Sequence, residues 1–142
     1  MTTARDIMTD DAICVGAYDS LSDAAQKMRD LGVRTLPICG ADNRLKGMIT
    51  ERDIVVKCIA EGGDPANTHV LRFADGAPVI VEANDSLEDV LGKMTSHNLS
   101  RLPVIHDHRL VGMVSATDVA QHLPAEQVVA LVGSFFSATA GR

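Results

Sequence analysis

The amino-acid sequence predicts an α+β fold made of two repeats, each with the element order β-α-β-β-α. The first observation is an internal duplication: the stretch Leu36–Asp53 reads LPICGADNRLKGMITERD, and the stretch Leu102–Asp118 reads LPVIHDHRLVGMVSATD. The second is that both stretches place turn-forming residues between two apolar runs, which is typical of a β-hairpin. The third is that each hairpin is followed by a hydroxyl residue and, three residues later, by an aspartate, which predicts the start of a helix. The assignment of all other elements depends on this duplication.

The first repeat opens with a short helical turn over Ala4–Met8 and a brief strand over Ala12–Val15. A helix then starts at Asp19 or Ser20 and ends at Gly32, because glycine readily adopts the left-handed conformation that stops a helix. Its apolar residues recur at helical spacing and are expected on one buried face: Leu21, Ala24, Ala25, Met28 and Leu31.

A hairpin of Val33–Cys39 and Arg44–Ile49 follows, and a second helix over Glu51–Glu61 completes the repeat. Four residues of this helix are expected to face the core: Ile54, Val55, Cys58 and Ile59. Residues 62–65, GGDP, stop the helix and link the two repeats.

The second repeat shows the same order. It has an entry turn near Val70–Phe73, a strand over Val79–Val81, a helix from Ser86 to His97 and a hairpin over Leu102–Val114, after which its last helix starts. The residues of the first of these helices that are expected in the core are Leu87, Val90, Leu91 and Met94. One residue fewer in the second hairpin turn explains why the offset between the repeats falls from 66 to 65 residues.

The C-terminal part of the chain lies outside the duplication. Pro124 interrupts the last helix or opens a new one, and the strongly apolar segment Val128–Phe136 follows. Residues 137–142, SATAGR, are expected to be disordered. The chain is therefore divided into repeat 1 over residues 1–64, repeat 2 over 65–123, and a C-terminal helix with a flexible tail over 124–142. Since one repeat leaves an apolar face uncovered, we expect the two to pack face to face about a pseudo-twofold axis and to form two equivalent clefts.

Composition and charge exclude several classes of function. The 142 residues carry a formal net charge of −6 and no run of Lys or Arg, so neither nucleic acid nor an anionic membrane is an expected partner. The N-terminus carries acids where a signal peptide needs an apolar segment, and no apolar run has the length of a membrane span, so a cytoplasmic location is expected. No phosphate-binding glycine loop and no recognisable pairing of nucleophile and base occur, which predicts that the protein is not an enzyme.

The duplicated residues are those through which the chain resembles the cystathionine-β-synthase (CBS) domain family. They are residues 36–38 and 44–53 and their repeats at 102–104 and 109–118, and the resemblance covers about residues 4–122. It implies a tandem regulatory pair that binds an adenosine-containing ligand, such as AMP, ADP, ATP or S-adenosylmethionine, in the clefts between the repeats. It also implies a homodimer, and a protein partner that responds to the ligand.

The resemblance assigns roles to specific residues. Asp53 and Asp118 would hold the ribose hydroxyls, and Thr50 and Ser115 would lie near the phosphates, which suits a carboxylate acceptor and the amides of a helix N-terminus. The residues expected around the adenine are Val15, Leu36, Pro37, Ile38, Val79, Ile80, Leu102, Pro103 and Val104. The cations best placed by sequence to meet phosphate are Arg34, Arg52 and Arg101, and Thr117 is a further candidate for ligand binding.

Helix capping is the alternative explanation for the same acids. A Thr or Ser followed three residues later by Asp forms a capping box worth about 1 kcal/mol without any ligand. The sequence leaves both readings open.

The cysteines depart from the family pattern in the first repeat. Cys14 stands where a first strand commonly ends in Thr, and Cys39 stands in the hairpin. Because the fold makes these strands neighbours, a disulfide Cys14–Cys39 is expected if the Cα atoms approach within about 7 Å. The other interpretation is that Cys14, Cys39 and Cys58 are small apolar residues in or near the core.

Four histidines are weak candidates for a metal site. His106 and His108 share a turn, and a zinc site could join His97, His108 or His122 from different elements, although nothing in their spacing requires it. The alternative is a solvated polar turn. The sequence thus supports two functions: a regulatory or stress-related module that binds an adenosine nucleotide, or a ligand-free interaction protein stabilised by a disulfide or a metal.

Overall fold

A computed structural model of the chain describes residues 1–10, 12–74 and 76–140, with side chains described as far as Phe135. In chain order the helices and strands are α1 (Ala4–Ile7), β1 (Thr9–Asp10), β2 (Val15–Gly16), α2 (Leu21–Leu31), β3 (Thr35–Cys39), β4 (Leu45–Thr50), a π-helix (Asp53–Ile59), β5 (Val81–Glu82), α3 (Leu87–His97), β6 (Arg101–His106), β7 (Arg109–Ser115), α4 (Ala116–Ala120) and α5 (Ala125–Ala140). Short 3₁₀ turns lie at Ala41–Asn43, Pro65–Asn67 and Val70–Phe73. The α+β class is confirmed.

The strands form two sheets with related topology. One has the order β2-β3-β4 and the other β1-β7-β6-β5. In each, the first strand of a repeat pairs in parallel with the first hairpin strand: Val15 is in register with Ile38, and Val81 with Val104. These pairs are 66 residues apart, so the register repeats with the sequence. Strand β1, which the sequence did not predict, adds an antiparallel edge to β7.

The N-terminal segment belongs with the second repeat. The chain divides into one compact unit of Ile13–Pro78 with His108–Leu110, and another of Met1–Ala12, Val79–Asp107 and the chain from Val111 on. Within the latter, Ala4 N–H donates to the Asp85 carbonyl at 2.9 Å. This division differs from the expected boundary at residue 64, because pairing of the N-terminal residues with distant strands has no local sequence pattern.

Each compact unit has its own aliphatic core, and Val70, which the sequence placed at the start of repeat 2, belongs to the core of the unit that begins at Ile13. The fully buried residues of the first include Val15, Leu21, Ala24, Leu36, Ile38, Ile49 and Val70. Those of the second include Val81, Val90, Met94, Leu102, Val104, Val114 and Val119. Burial of such side chains stabilises each unit by roughly 1.5–3 kcal/mol per residue relative to leaving it exposed.

The second helix of repeat 1 is a π-helix, and only two of its four residues predicted in the core are buried. Ala60 N–H donates to the Val55 carbonyl, five residues back, at 2.9 Å. Ile54 and Cys58 are buried as predicted, whereas Val55 and Ile59, expected in the core, are exposed. In α2, Ala25 and Leu31 are likewise exposed, so the core-facing stripes are narrower than predicted.

Helix α5 begins directly after Pro124, which therefore opens a new helix. Its residue Leu131 is buried, and the helix packs on α3 and α4. The helix continues to Ala140, where the sequence predicted a flexible tail from Ser137; residues 141 and 142 lie outside the described part of the chain. Over the described ranges, every helix is too short or too polar to act as a membrane span.

Candidate ligand-binding site

Both hairpins end in a capping box. The Thr50 Oγ1 atom accepts from Asp53 N–H at 3.1 Å, and Asp53 Oδ2 accepts from Thr50 N–H at 3.0 Å. Correspondingly, Ser115 Oγ accepts from Asp118 N–H at 3.1 Å, and Asp118 Oδ2 accepts from Ser115 N–H at 2.9 Å. Within each repeat, the structure therefore places the residue predicted for phosphate next to the residue predicted for ribose, and the two pairs have matching geometry.

The same box occurs where no ligand is expected. Ser20 and Asp23 exchange hydrogen bonds of 3.0 and 3.1 Å at the start of α2. Ser86 and Asp89 do so at 3.1 and 3.4 Å at the start of α3. Helix capping is thus sufficient to account for the geometry, and ligand binding would be an additional property of Asp53 and Asp118.

The two candidate acids differ in their charged neighbours. The Asp53 side chain, 15% exposed, forms an ion pair through Oδ1 with Lys57 Nζ at 3.1 Å. The residue equivalent to Lys57 is His122, whose Nδ1 lies 3.0 Å from the backbone carbonyl of Asp118. Asp118 acts instead on Arg101: burial of the guanidinium lowers the pKa of Arg101, and the negative charge of Asp118 opposes that shift. Asp53 is therefore ion-paired with Lys57 of its own helix, whereas Asp118 lies near Arg101 of β6.

The residues predicted to line the adenine lie on or next to the strands. Val15, Ile38 and Val104 are fully buried members of the two cores. Pro37 and Pro103 are also buried, and so are Leu36 and Leu102, whereas Val79 and Ile80 are half-buried. Of the residues predicted around the adenine, only Val79 and Ile80 are therefore partly accessible to solvent.

The predicted cations are spread over both units. Arg34 is exposed and lies 3.7 Å from Glu51 through its Nε. Arg52 and Thr117 are exposed, and Arg101, at the start of β6, is half-buried. The Arg34 carbonyl accepts from Glu51 N–H at 2.9 Å, which ties the start of the π-helix to β3.

Sequence reasoning missed a pair of lysines. Lys27 Nζ donates to the Cys14 carbonyl at 2.9 Å, and Lys93 Nζ donates to the Ile80 carbonyl at 2.6 Å. The lysines are 66 residues apart, so the duplication itself was the sequence pattern that could have identified them. They place an ammonium group beside each segment at which adenine binding is predicted.

The predicted disulfide is present. Cys14 and Cys39 are joined with their Cα atoms 5.7 Å apart, within the range that a disulfide needs. Cys58 is a buried free thiol. Because Lys27 also contacts the Cys14 carbonyl, the cross-link and an ammonium group both anchor the segment before β2.

The candidate histidines are exposed. His106 Nε2 lies 3.4 Å from Asp107 Oδ2 in the β6–β7 turn, in which Asp107 and His108 have positive φ. His97 ends α3. Within the described ranges, no three His, Cys, Asp or Glu side chains come close enough to hold a metal ion. Among the described residues, these histidines therefore form no three-ligand metal site within one chain.

Comparison with known proteins extends the resemblance. The CBS domain family matches residues 4–59 and 73–125. The chain is 46% identical over 137 residues to Hypoxic response protein 1 of Mycobacterium tuberculosis, with 96% of each chain covered. It is 33% identical over 120 residues to the CBS domain-containing protein YhcV of Bacillus subtilis, with 84% of each covered.

Solved structures agree with the sequence comparison. A crystal structure of Hypoxic Response Protein I with two coordinated zinc ions shares 48% identity and a TM-score of 0.81, and the match covers 87% of this chain and all of that one. The two matched ranges coincide with the two halves of the duplication. The chain therefore belongs to the CBS domain family and carries two CBS domains in tandem.

Proposed function

We propose that this CBS pair is a regulatory or stress-related protein that binds an adenosine-containing ligand of the AMP or ATP type through Asp53 and Asp118. The observation that carries the proposal is the pair of capping boxes at equivalent strand-to-helix junctions. Each box fixes a carboxylate, which accepts hydrogen bonds and so suits the two hydroxyls of a ribose. The adjacent helix start supplies amides for phosphate.

Binding at the two acids is expected to be unequal. A ribose at Asp53 must compete with Lys57 for one carboxylate oxygen, whereas the position of Lys57 is taken by His122 beside Asp118. Arg101 provides a cation close to Asp118 for phosphate. We therefore infer that the site at Asp118 binds first and more tightly.

The ligand would act by shifting an equilibrium. A nucleotide changes the association of the pair, or its contact with a regulated protein, only as far as it binds the two states with different affinity. We place this activity in the cytoplasm, where adenosine nucleotides are available, and assign no catalytic step to the chain.

Calorimetry with matched variants tests the proposal. AMP, ADP, ATP and S-adenosylmethionine are titrated separately into the wild type, Asp118→Ala and the control Asp89→Ala. Both substitutions remove a capping acid from the same compact unit, so both lower stability by about 1 kcal/mol. Asp118→Ala is also expected to weaken nucleotide binding about ten- to a hundredfold, because it removes a charged hydrogen-bond acceptor.

The control separates binding from folding. Unchanged affinity in Asp89→Ala together with the loss in Asp118→Ala supports the ribose role. An equal loss in both variants would assign the effect to capping. Absence of heat and of any nucleotide-dependent thermal shift with all four ligands would reject nucleotide binding.

A second candidate function is favoured by the disulfide. Cys14–Cys39 cross-links the first repeat, and the relative with 46% identity is named for the hypoxic response. A ligand-free interaction protein stabilised by this cross-link would suit stress conditions. The related crystal structure holds two zinc ions. In this chain, the described residues form no three-ligand metal site. Metal analysis of protein purified without an affinity tag tests whether zinc is bound.

A further inference from the structure

The segment that precedes the first strand of each repeat is bonded to a helix by a lysine. Lys27 of α2 donates from Nζ to the Cys14 carbonyl at 2.9 Å, and Lys93 of α3 donates from Nζ to the Ile80 carbonyl at 2.6 Å. Both lysines and both residues that supply the carbonyls are half-buried. A hydrogen bond from a charged donor is stronger than one from a neutral donor, so each contact can fix the backbone of its segment.

In the second repeat, an acid connects the lysine to the next part of the same segment. Asp85 Oδ2 lies 3.8 Å from Lys93 Nζ and accepts from Glu82 N–H at 2.9 Å. The lysine therefore contacts residue 80 while its ion-pair partner contacts residue 82. The strand Val81–Glu82 has only two residues, so its pairing with β6 provides few backbone hydrogen bonds and the side-chain contacts matter more.

The first repeat has a second, covalent contact at the same position. Cys14 is joined by the disulfide to Cys39 of β3. At the 66-residue offset, the two cysteines correspond to Ile80 and Ile105, which cannot form a cross-link. The backbone before β2 is therefore held by an ammonium group and a disulfide, whereas the backbone before β5 has the lysine contact without a cross-link.

We propose that Lys93 is a positioning residue that holds Val79 and Ile80 in place for the adenine of a bound nucleotide, and that Lys27 shares the corresponding task with the disulfide. This inference rests on the proposed function, and Val79 and Ile80 are the partly accessible residues among those predicted around the adenine. A ligand binds only the fraction of molecules in which its site has the competent conformation. Loss of the Lys93 contact lowers that fraction and therefore weakens binding.

Hydrogen exchange of the nucleotide-free protein tests whether the lysine holds the segment. Lys93→Met keeps an apolar stem, removes the ammonium group and is expected to speed exchange in residues 79–82 about tenfold, with exchange in α3 unchanged. Lys27→Met is the matched control, because it removes the same group from the equivalent position. In the oxidised protein it should change exchange in residues 12–16 less than about twofold, since the disulfide still holds Cys14. After reduction by a dithiol, its effect should approach that of Lys93→Met.

Calorimetric titration with AMP tests the effect on binding. Lys93→Met is expected to raise the dissociation constant of AMP about tenfold, because fewer molecules have the competent segment. Lys93→Arg retains a charged donor for the Ile80 carbonyl and should restore both the affinity and the slow exchange. Rescue by arginine would assign the effect to the hydrogen bond, which a purely structural role of the lysine stem does not require.

The outcomes separate this inference from the proposed function. Faster exchange and weaker AMP binding in Lys93→Met, both restored in Lys93→Arg, support the positioning role. Unchanged exchange in Lys93→Met, unchanged affinity in spite of faster exchange, or an equal loss in Lys93→Arg would overturn it. Equal acceleration by Lys27→Met in the oxidised protein would overturn the shared role of the disulfide. A wild type that binds no AMP would reject the proposed function and the binding role of Lys93 together, and the exchange data would then decide alone whether the lysine holds the segment.

Discussion

An aspartate three residues after a hydroxyl residue recurs at the start of the described helices. It begins α2, α3, α4 and the π-helix, and in α1 Asp6 accepts from the backbone and side chain of Thr3. These hydrogen bonds lower the pKa of Asp6 below its ordinary value of 3.8. The stabilisation that Asp6 contributes is therefore present above that ordinary value and is lost as the pH falls through the lowered pKa. Capping is a folding property of all these acids, and nucleotide binding is proposed for only two.

The disulfide leads to a prediction at the residue scale. Cys14→Ser is expected to lower the free energy of unfolding by about 3 kcal/mol and the melting temperature by roughly 10 °C, because the cross-link restricts the unfolded chain. Thermal unfolding is compared between the variant and the wild type, with and without reductant.

Reductant serves as the internal control for that prediction. It should lower the melting temperature of the wild type and have little effect on Cys14→Ser. Denatured, unreduced wild type should show one reactive thiol, that of Cys58. Three reactive thiols would contradict the cross-link.

For some helices and strands, the spacing of apolar residues was enough to predict the structure. The spacing of Leu21, Ala24 and Met28 predicted the buried face of α2, and the hairpins lie within a residue or two of their predicted positions. The π-helix was not predictable from spacing, because Val55 and Ile59 fit an α-helical stripe equally well. Its hydrogen bonds five residues apart and its contacts with the core determine that only Ile54 and Cys58 face inward.

Helix α5 leads to a prediction at the element scale. Leu131 is 3% exposed, so Leu131→Ala should destabilise the protein by about 2–5 kcal/mol through lost burial and a cavity. Val129→Ala on the same helix should change stability by less than about 0.5 kcal/mol, because Val129 faces outward. Chemical denaturation measures both. Equal effects would show that α5 does not pack on α3 and α4 through this stripe.

At the scale of the whole molecule, the compact units do not follow the chain order. Ala4 and Thr9 bond to residues of the second repeat, and β1 pairs with β7. The sequence placed residues 1–64 in one repeat, since two-residue strands carry no periodicity and their partners lie far along the chain. The duplication nevertheless predicted two equivalent cores, and both are present.

Nucleotide binding leads to a prediction for the whole molecule. AMP at one hundred times its dissociation constant should raise the free energy of unfolding by about 2.7 kcal/mol, because it binds the folded state alone. Calorimetric melting curves with and without AMP measure this increase. GMP is the control for recognition of the base; an equal increase with GMP would contradict adenosine specificity.

The sequence by itself determined the duplication, the α+β class, the hairpins and the capping acids, because each depends on residue types at short spacing. Only the tertiary structure decided that the N-terminal strand joins the second repeat, that α5 covers α3 and α4, and that Val55 and Ile59 stay exposed. These outcomes depend on contacts between residues far apart in the chain. Several apolar helix faces could be buried against the same core, and close packing in the folded protein decides which of them are buried.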